Sequence, residues 1–481
     1  MRARLLPLAA TLAVGWLALF PITSVDAYYH LATGRRILDE HTIPTRGVGS
    51  ASFGQAPWHD NEWGFQVLAA LIGRAERDDS GVLVLTPTGR VGLVLLRGIV
   101  CAATMAVLAA TMLRSGAGPG LSALGVWLAA FLTFGNLFWD VRPQILSYLA
   151  LAALIDLLER DRRGARGALA GALAVIAVWS SVHGAVVLGC VAFACEAAGA
   201  WVEDRARARR LTVAALLAPV AACLNPLGWR QISYAFLYAR VPSIVSGNNE
   251  WTRPDLLHLP LLVLTVAILG AAVAAGARPR AGACLRVAAF GALFLTAIRH
   301  LPFFVIVLVP VVVEAVTSVP AWTRLRQRAA LLVAAGIAVV LLSGAKYVGL
   351  VPSFGERPSR PLPEAEVRFL AGRGIPGNGF NAYRFGGFLM WRLYPREVVM
   401  MDGRNDLYGA FRTDVYDAIL ETRPGWESKW EDLVERYRLR WALVDASDPL
   451  AAELSKRRHW RRVDQGSSTA ALFVADDPEY R

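Results

Sequence analysis

Residues 299–318 read RHLPFFVIVLVPVVVEAVTS: Arg299 and His300, then an apolar run from Leu301 to Ser318 whose single charge is Glu314. A run of roughly 18 or more such residues is what a helix needs to cross a hydrocarbon core. The two ionisable residues before it fall where that helix leaves the bilayer. The pattern recurs. Further candidate spans lie at 5–22, 90–113, 120–139, 143–158, 167–181, 185–202, 211–224, 257–276, 284–298 and 329–350, with 301–318 completing a set of about 11.

Composition agrees. The chain has 481 residues, 55% hydrophobic and 18% charged, with mean hydropathy +0.42. Soluble domains carry about 25% charged residues, so a soluble enzyme, a disordered chain and a disulfide-knit secreted domain all fit poorly. The five cysteines fall inside apolar runs with no ligand spacing. Residues 352–481 hold 20 basic and 20 acidic side chains, whereas 1–351 hold 30 and 18. That excess sits in short loops between spans, as the positive-inside rule requires, and nucleic acid is excluded as its cause.

The fold class expected is an all-α polytopic membrane bundle with a C-terminal extracytoplasmic α/β domain. Arginines at 2 and 4, 114, 160–166, 205–210, 278–286 and 324–328 mark the inner segments. The N-terminus is then cytoplasmic, Leu5–Ile22 an uncleaved first span, and residues 352–481 outside a plasma (inner) membrane. Residues 1–351 form the transmembrane domain, with long outer loops at 23–89 and 225–256. A Pro-rich linker, 352–363, leads to an α/β domain at 364–481. Helical patterns at 364–372 and 426–437 alternate there with β-type runs at Val398–Met401, Trp441–Val444 and Ala470–Val474. Residues 63–72 form an amphipathic stretch suited to the interface.

Under this topology the costly polar residues gather at outer ends of spans: Asp26 and His30; Asp140, Arg142 and Gln144; His183; Asn225; Glu250 and Trp251; Arg299 and His300. No histidine falls in an inner loop. Together they describe an outward-opening polar cavity that supplies a carboxylate base, guanidinium groups for a lipid-phosphate leaving group, and aromatic and amide groups for the transferred moiety. Each also has a structural reading. Asp26 can cap the next segment, His183-Gly184 can be a tight turn, and Arg142 can pair with Asp140 or cap span 3. Arg299 and His300 can be interfacial anchors. Trp58, Trp63, Trp179 and Trp251 can be belt aromatics or sugar platforms. His30, His59, Asp60 and Glu62 leave a divalent metal conceivable, without diagnostic spacing.

These residues resemble a family. Asp26-Ala-Tyr-Tyr-His30-Leu-Ala-Thr-Gly34-Arg35, Ile43-Pro44 and Pro57-Trp58-His59-Asp60-Asn61-Glu62-Trp63 look like the first outer loop of bacterial polytopic GT-C-type glycosyltransferases. That group is akin in architecture to protein O-mannosyltransferases and aminoarabinose transferases. Arg142-Pro143-Gln144, Trp179 to Gly184, Asn225-Pro226-Leu227-Gly228, Glu250-Trp251, Arg299-His300-Leu301-Pro302, Phe385-Gly386-Gly387-Phe388-Leu389 and Asp402 to Gly409 extend the likeness over nearly the whole chain.

The resemblance implies a sugar donor on a polyprenyl phosphate and inverting transfer to an envelope acceptor on the outer face. Asp26 would be the general base, Arg142 and Arg299 phosphate holders, and His30, Glu62 and His183 supporting or metal-linked groups. The metal candidates are Asp26, His30, His59 and Glu62. Asp26 is followed by Ala27, where characterised members often carry paired acids. Asp402 and Arg404 would contact the acceptor or form a structural turn. The competing expectations are a transporter or lipid flippase, and a non-catalytic envelope assembly protein.

Overall fold

The computed structural model describes residues 5–134, 139–238, 249–322, 354–358, 361–375, 377–396 and 399–476. The chain divides into two compact units. One comprises Met1–Phe20, Val94–Phe236 and Asn248–Phe354, the other Pro21–Leu93, Leu237–Gly247 and Gly355–Arg481.

The first unit is helical. Its Ala-, Leu- and Val-rich runs form the helices Leu5–Leu17, Pro119–Phe134, Gln144–Arg162, Ala168–Ser180, Val186–Glu203, Arg205–Ala222, Arg230–Tyr238, Pro260–Ala274, Ala281–Thr296 and Leu301–Ser318, with the Pro87–Arg114 helix from Val94 onward. Leu301–Ser318 is buried almost throughout, as a helix apolar on every face should be. Val186–Glu203 meets Ala281–Thr296 through glycines: a Cβ on Gly199 would lie 2.0 Å from the Gly282 nitrogen. Such close backbone approach is typical of small residues between membrane helices. Val213, Leu216, Leu217 and Val220 are exposed along one helix, a face suited to lipid.

Among the described residues three helices are long and apolar enough to cross a membrane: Pro87–Arg114, Val186–Glu203 and Ile298–Ser318. Leu5–Leu17, Pro119–Thr133, Ala168–Ser180, Pro260–Ala274 and Ala281–Thr296 match further expected spans but are shorter. Eleven full spans are therefore not what these residues display. Gln144–Arg162 is charged in its last turns, Arg205–Ala222 begins among arginines, and span 329–350 lies outside the described residues. Four acids near helix ends are paired with arginine. Asp156 binds Arg114 and Arg160, Glu159 binds Arg162, Arg163 and Arg280, Glu196 binds Arg207 and Arg286, and Glu314 binds Arg280. Arginines read as topology signals thus also neutralise buried carboxylates.

The second unit joins residues 21–93 to the tail, a union that the expected boundary at 352 does not describe. Strands β1 (Ala75–Arg77) and β2 (Leu83–Leu85) form an antiparallel hairpin. Strands β3 (Asn378–Asn381), β4 (Leu439–Asp445), β5 (Trp460–Val463) and β6 (Ala470–Ala475) form a sheet in the order β3-β4-β6-β5, with β3 parallel to β4 and the other pairings antiparallel. The helices Glu364–Gly372 and Trp426–Tyr437 stand where the pattern puts them. The expected strand Val398–Met401 differs: Val398 is outside the described residues, and Val399 makes isolated bridges to Ser50 and Gly379. Trp58 lies in the same hydrophobic cluster as Phe380, Trp430 and Trp441's neighbours Ala442 and Phe473. Backbone bonds from Ile22 to Gly355 (2.9 Å) and from Ala51 to Val399 (2.7 Å) tie the two stretches together.

Candidate functional site

In the second unit Asp26 opens the Asp26–Glu40 helix, where the helix dipole favours a negative charge. Its neighbours are built into the core. Tyr28 donates to Glu356 at 2.7 Å, and Tyr29 donates to Glu62 at 3.0 Å. His30, buried, lies 3.8 Å from Glu62 through Nδ1 and packs edge-on against Phe65. Gly34 faces Gln66 on the Trp63–Ile72 helix, so the two helices that carry Asp26, His30 and Glu62 are in close contact. The Trp63–Ile72 helix buries Phe65, Gln66 and Ala69 in that packing.

The turn 402–404 closes on Asp26. A Cβ on Gly403 would sit 3.2 Å from Asp26 Oδ1 and 3.1 Å from the Tyr29 ring, so glycine lets the backbone approach the carboxylate. Asp402 and Arg404 form a buried bidentate pair at 2.8 and 2.6 Å, and Tyr408 donates to Asp402 at 2.6 Å. Arg404 also donates to the Val48 carbonyl at 2.9 Å and stacks on Trp58. Burial pushes the Asp402 carboxyl up, but the guanidinium and the Tyr408 hydroxyl outweigh it and hold the group below the usual range. The structural reading of Asp402 and Arg404 describes these contacts, beside which Asp26 stands.

Arg412 and Tyr383, outside the quoted motifs, extend this site together with Asn405 of the stretch Asp402 to Gly409 and Asp60 of the first loop. Arg412 donates to Asn405 Oδ1, and Asn405 Nδ2 donates to the Tyr383 hydroxyl at 2.9 Å. Because Arg412 is donor-only, it fixes the amide orientation. Burial, then the charge of Asp26, raises the Tyr383 phenol. Asp60 is wholly buried, with Oδ1 accepting from the Glu62 amide at 3.3 Å and Oδ2 unpartnered among the described residues. Burial, then Glu62, holds its carboxyl well above the usual range.

In the first unit Arg142 meets Glu250 at 2.5 Å, and Arg299 stacks on Trp251 with its guanidinium carbon 4.4 Å from the ring centre. Burial pushes Glu250 up, while Arg142 and Arg299 outweigh this and keep it ionised. His183 Nδ1 lies 2.8 Å from Ser147 Oγ, which also accepts from Trp179 Nε1 at 2.8 Å. Burial, then Arg299 and Arg142, hold this imidazole well below its ordinary value. His300 faces Trp251 edge-on and bonds the Leu293 carbonyl at 3.1 Å. Gln144 opens the Gln144–Arg162 helix with Oε1 buried and unpartnered among the described residues.

Several expectations are corrected. Arg142 pairs with Glu250, while Asp140 takes Arg97 at 3.1 Å, because Arg97 is buried and needs a counter-charge. Asn225 caps its own turn through the Ala222 carbonyl and the Leu227 amide, both at 2.7 Å. Trp58 and Trp179 are buried rather than belt residues. Among the described residues no group of three or more His, Cys, Asp or Glu side chains is placed to hold a metal. The candidate set Asp26, His30, His59 and Glu62 is thus not drawn together into such a group.

By sequence the chain matches no protein-family model and no curated protein. By structure it does find likenesses. The fold resembles that of an archaeal oligosaccharyltransferase. The apo enzyme of Archaeoglobus fulgidus superposes with a TM-score of 0.60 at 11% identity, over 91% of this chain and 69% of that one. The same enzyme tethered through a disulfide to an acceptor peptide containing the NVT sequon gives 0.59 at 11% identity, over 92% and 69%. Its complex with an inhibitory peptide and a dolichol-phosphate gives 0.52 at 11% identity, over 91% and 69%. At this identity the likeness establishes a GT-C-like fold, and it is a likeness of fold alone.

Proposed function

We propose that the protein is a multi-pass membrane glycosyltransferase that moves a sugar from a polyprenyl-phosphate donor to an envelope acceptor on the outer face of the plasma membrane. The observation that carries this reading is the cluster of Arg142, Arg299, Glu250, Trp251 and His183 at helix ends of an apolar bundle. Two guanidiniums at the end of an apolar bundle are what a lipid phosphate needs. The oligosaccharyltransferase fold supports it, as does the dolichol-phosphate held by that neighbour.

In the reaction an acceptor hydroxyl gives its proton to Asp26 while its oxygen attacks the anomeric carbon. The bond from that carbon to the phosphate oxygen breaks, the electron pair leaves with the polyprenyl phosphate, and configuration inverts. Arg142 and Arg299 hold the departing charge. Tyr29, His30 and Glu62 keep the Asp26 helix in place. No step is routed through a metal. The transporter alternative is less favoured because Asp156, Glu159, Glu196 and Glu314 are each locked to arginine rather than poised to carry an ion.

The test is donor turnover by the purified full chain in lipid, with a panel of polyprenyl-phosphate sugars and wild type beside Asp26→Asn. Release of polyprenyl phosphate by wild type and its loss in the variant is the expected result. Equal release removes Asp26 from the chemistry. No release with any donor by folded protein overturns the reading.

A further inference from the structure

The Arg142 guanidinium that the proposed reaction needs for phosphate is already engaged. Glu250 Oε1 lies 2.5 Å from Arg142 Nη1, with both side chains partly solvent-accessible. Glu250 belongs to a single 3-10 turn, Asn249–Trp251, and the next residue is the Trp251 on which Arg299 stacks. One short turn therefore supplies the counter-charge of one guanidinium and the platform of the other. A lone 3-10 turn is a weakly held element, and the pair is exposed enough to exchange partners.

Two guanidiniums and one carboxylate leave net positive charge in the cluster. The donor's phosphate is a diester with one negative charge and the released polyprenyl phosphate a monoester with up to two; both present paired oxygens to a guanidinium, so each competes with Glu250 for Arg142, the monoester more strongly. Without an anion, two neighbouring guanidiniums against an apolar bundle would repel each other and pay for lost hydration.

We propose that Glu250 is an internal stand-in for the donor phosphate: it occupies Arg142 in the donor-free state and is displaced when a lipid phosphate arrives. This rests on the function proposed above and deepens it, by assigning to Glu250 the setting of donor affinity and product release. Displacement of Glu250 also shifts Trp251 and so frees Arg299, which makes the two phosphate-holding groups available together.

The test is isothermal titration of the purified full chain in detergent with farnesyl phosphate, with inorganic phosphate titrated in parallel. Glu250→Gln keeps the shape and removes the charge. It should bind farnesyl phosphate about tenfold more tightly than wild type, whereas Arg142→Gln should bind it more weakly. Glu250→Asp, a shorter carboxylate that reaches Arg142 less well, should lie between and serves if Glu250→Gln does not fold. Equal or weaker binding by the Glu250 variants, with Arg142→Gln impaired, overturns the stand-in role and leaves the transferase reading intact. Inorganic phosphate binding as tightly as farnesyl phosphate overturns the lipid-phosphate assignment. Absence of farnesyl phosphate binding by wild type and every variant sinks both readings.

Discussion

Gly34 and Gln66 hold two helices of the second unit at backbone distance: a Cβ on Gly34 would lie 2.0 Å from the Gln66 carbonyl oxygen. Across this contact Tyr29 and His30 reach Glu62. Alanine ordinarily favours a helix interior over glycine by about 1 kcal/mol. Gly34→Ala should reverse that sign and cost about 1–3 kcal/mol through overpacking, visible as a lower unfolding midpoint. Turnover should fall with it, since the Asp26 helix moves. An unchanged midpoint would show that the contact is not tight.

Arg404 neutralises a carboxylate that has no access to water. Arg404→Met should destabilise the second unit by about 3–5 kcal/mol, as expected when one partner of a buried pair is removed. Adding Asp402→Asn should restore much of the loss. Limited proteolysis of single and double variants measures the coupling, and additive losses would refute it.

Asp60 favours its neutral form in the folded state. A group whose folded pKa is raised contributes stability below its unfolded value and loses it as pH rises through the folded value. The protein should therefore lose stability from about pH 4 upward on account of this group, and Asp60→Asn should flatten that fall. Thermal unfolding from about pH 4, near the ordinary carboxylate pKa, to about pH 9 checks it. A variant curve parallel to wild type would contradict it.

Arg299 depends on Trp251 for its position. Trp251→Phe keeps a ring under the guanidinium and should change donor KM by about threefold or less, while Trp251→Ala should raise it by about tenfold, in line with cation–π energies of about 0.5–2 kcal/mol. Steady-state kinetics with a fixed acceptor separates the two. Equal KM values would remove the stack from donor binding.

The parts legible in sequence were those where a pattern acts over a short distance. Trp426, Trp430 and Leu433 recur at helical spacing, and all three are buried on one face of Trp426–Tyr437. Strand β3 was not legible, because the residues Asn378 to Asn381 have little β tendency of their own and are held by pairing with β4, remote in sequence. In the same way Arg142 and Glu250 were both singled out, but nothing in a chain 108 residues apart says that they bond. Asp140 and Arg142 looked like partners only because they are adjacent. Arg412 and Tyr383 carried no local signal and Asn405 only its place in the stretch Asp402 to Gly409, since what links the three is hydrogen bonding across the fold.

Trp58 donates to Asp406 at 3.1 Å across 348 residues of chain. During synthesis the segment that bears Trp58 leaves the ribosome early and has to wait for 348 further residues before it meets Asp406. A premature stop before Asp406 would thus leave Trp58 without this partner, and quality control would meet an exposed tryptophan.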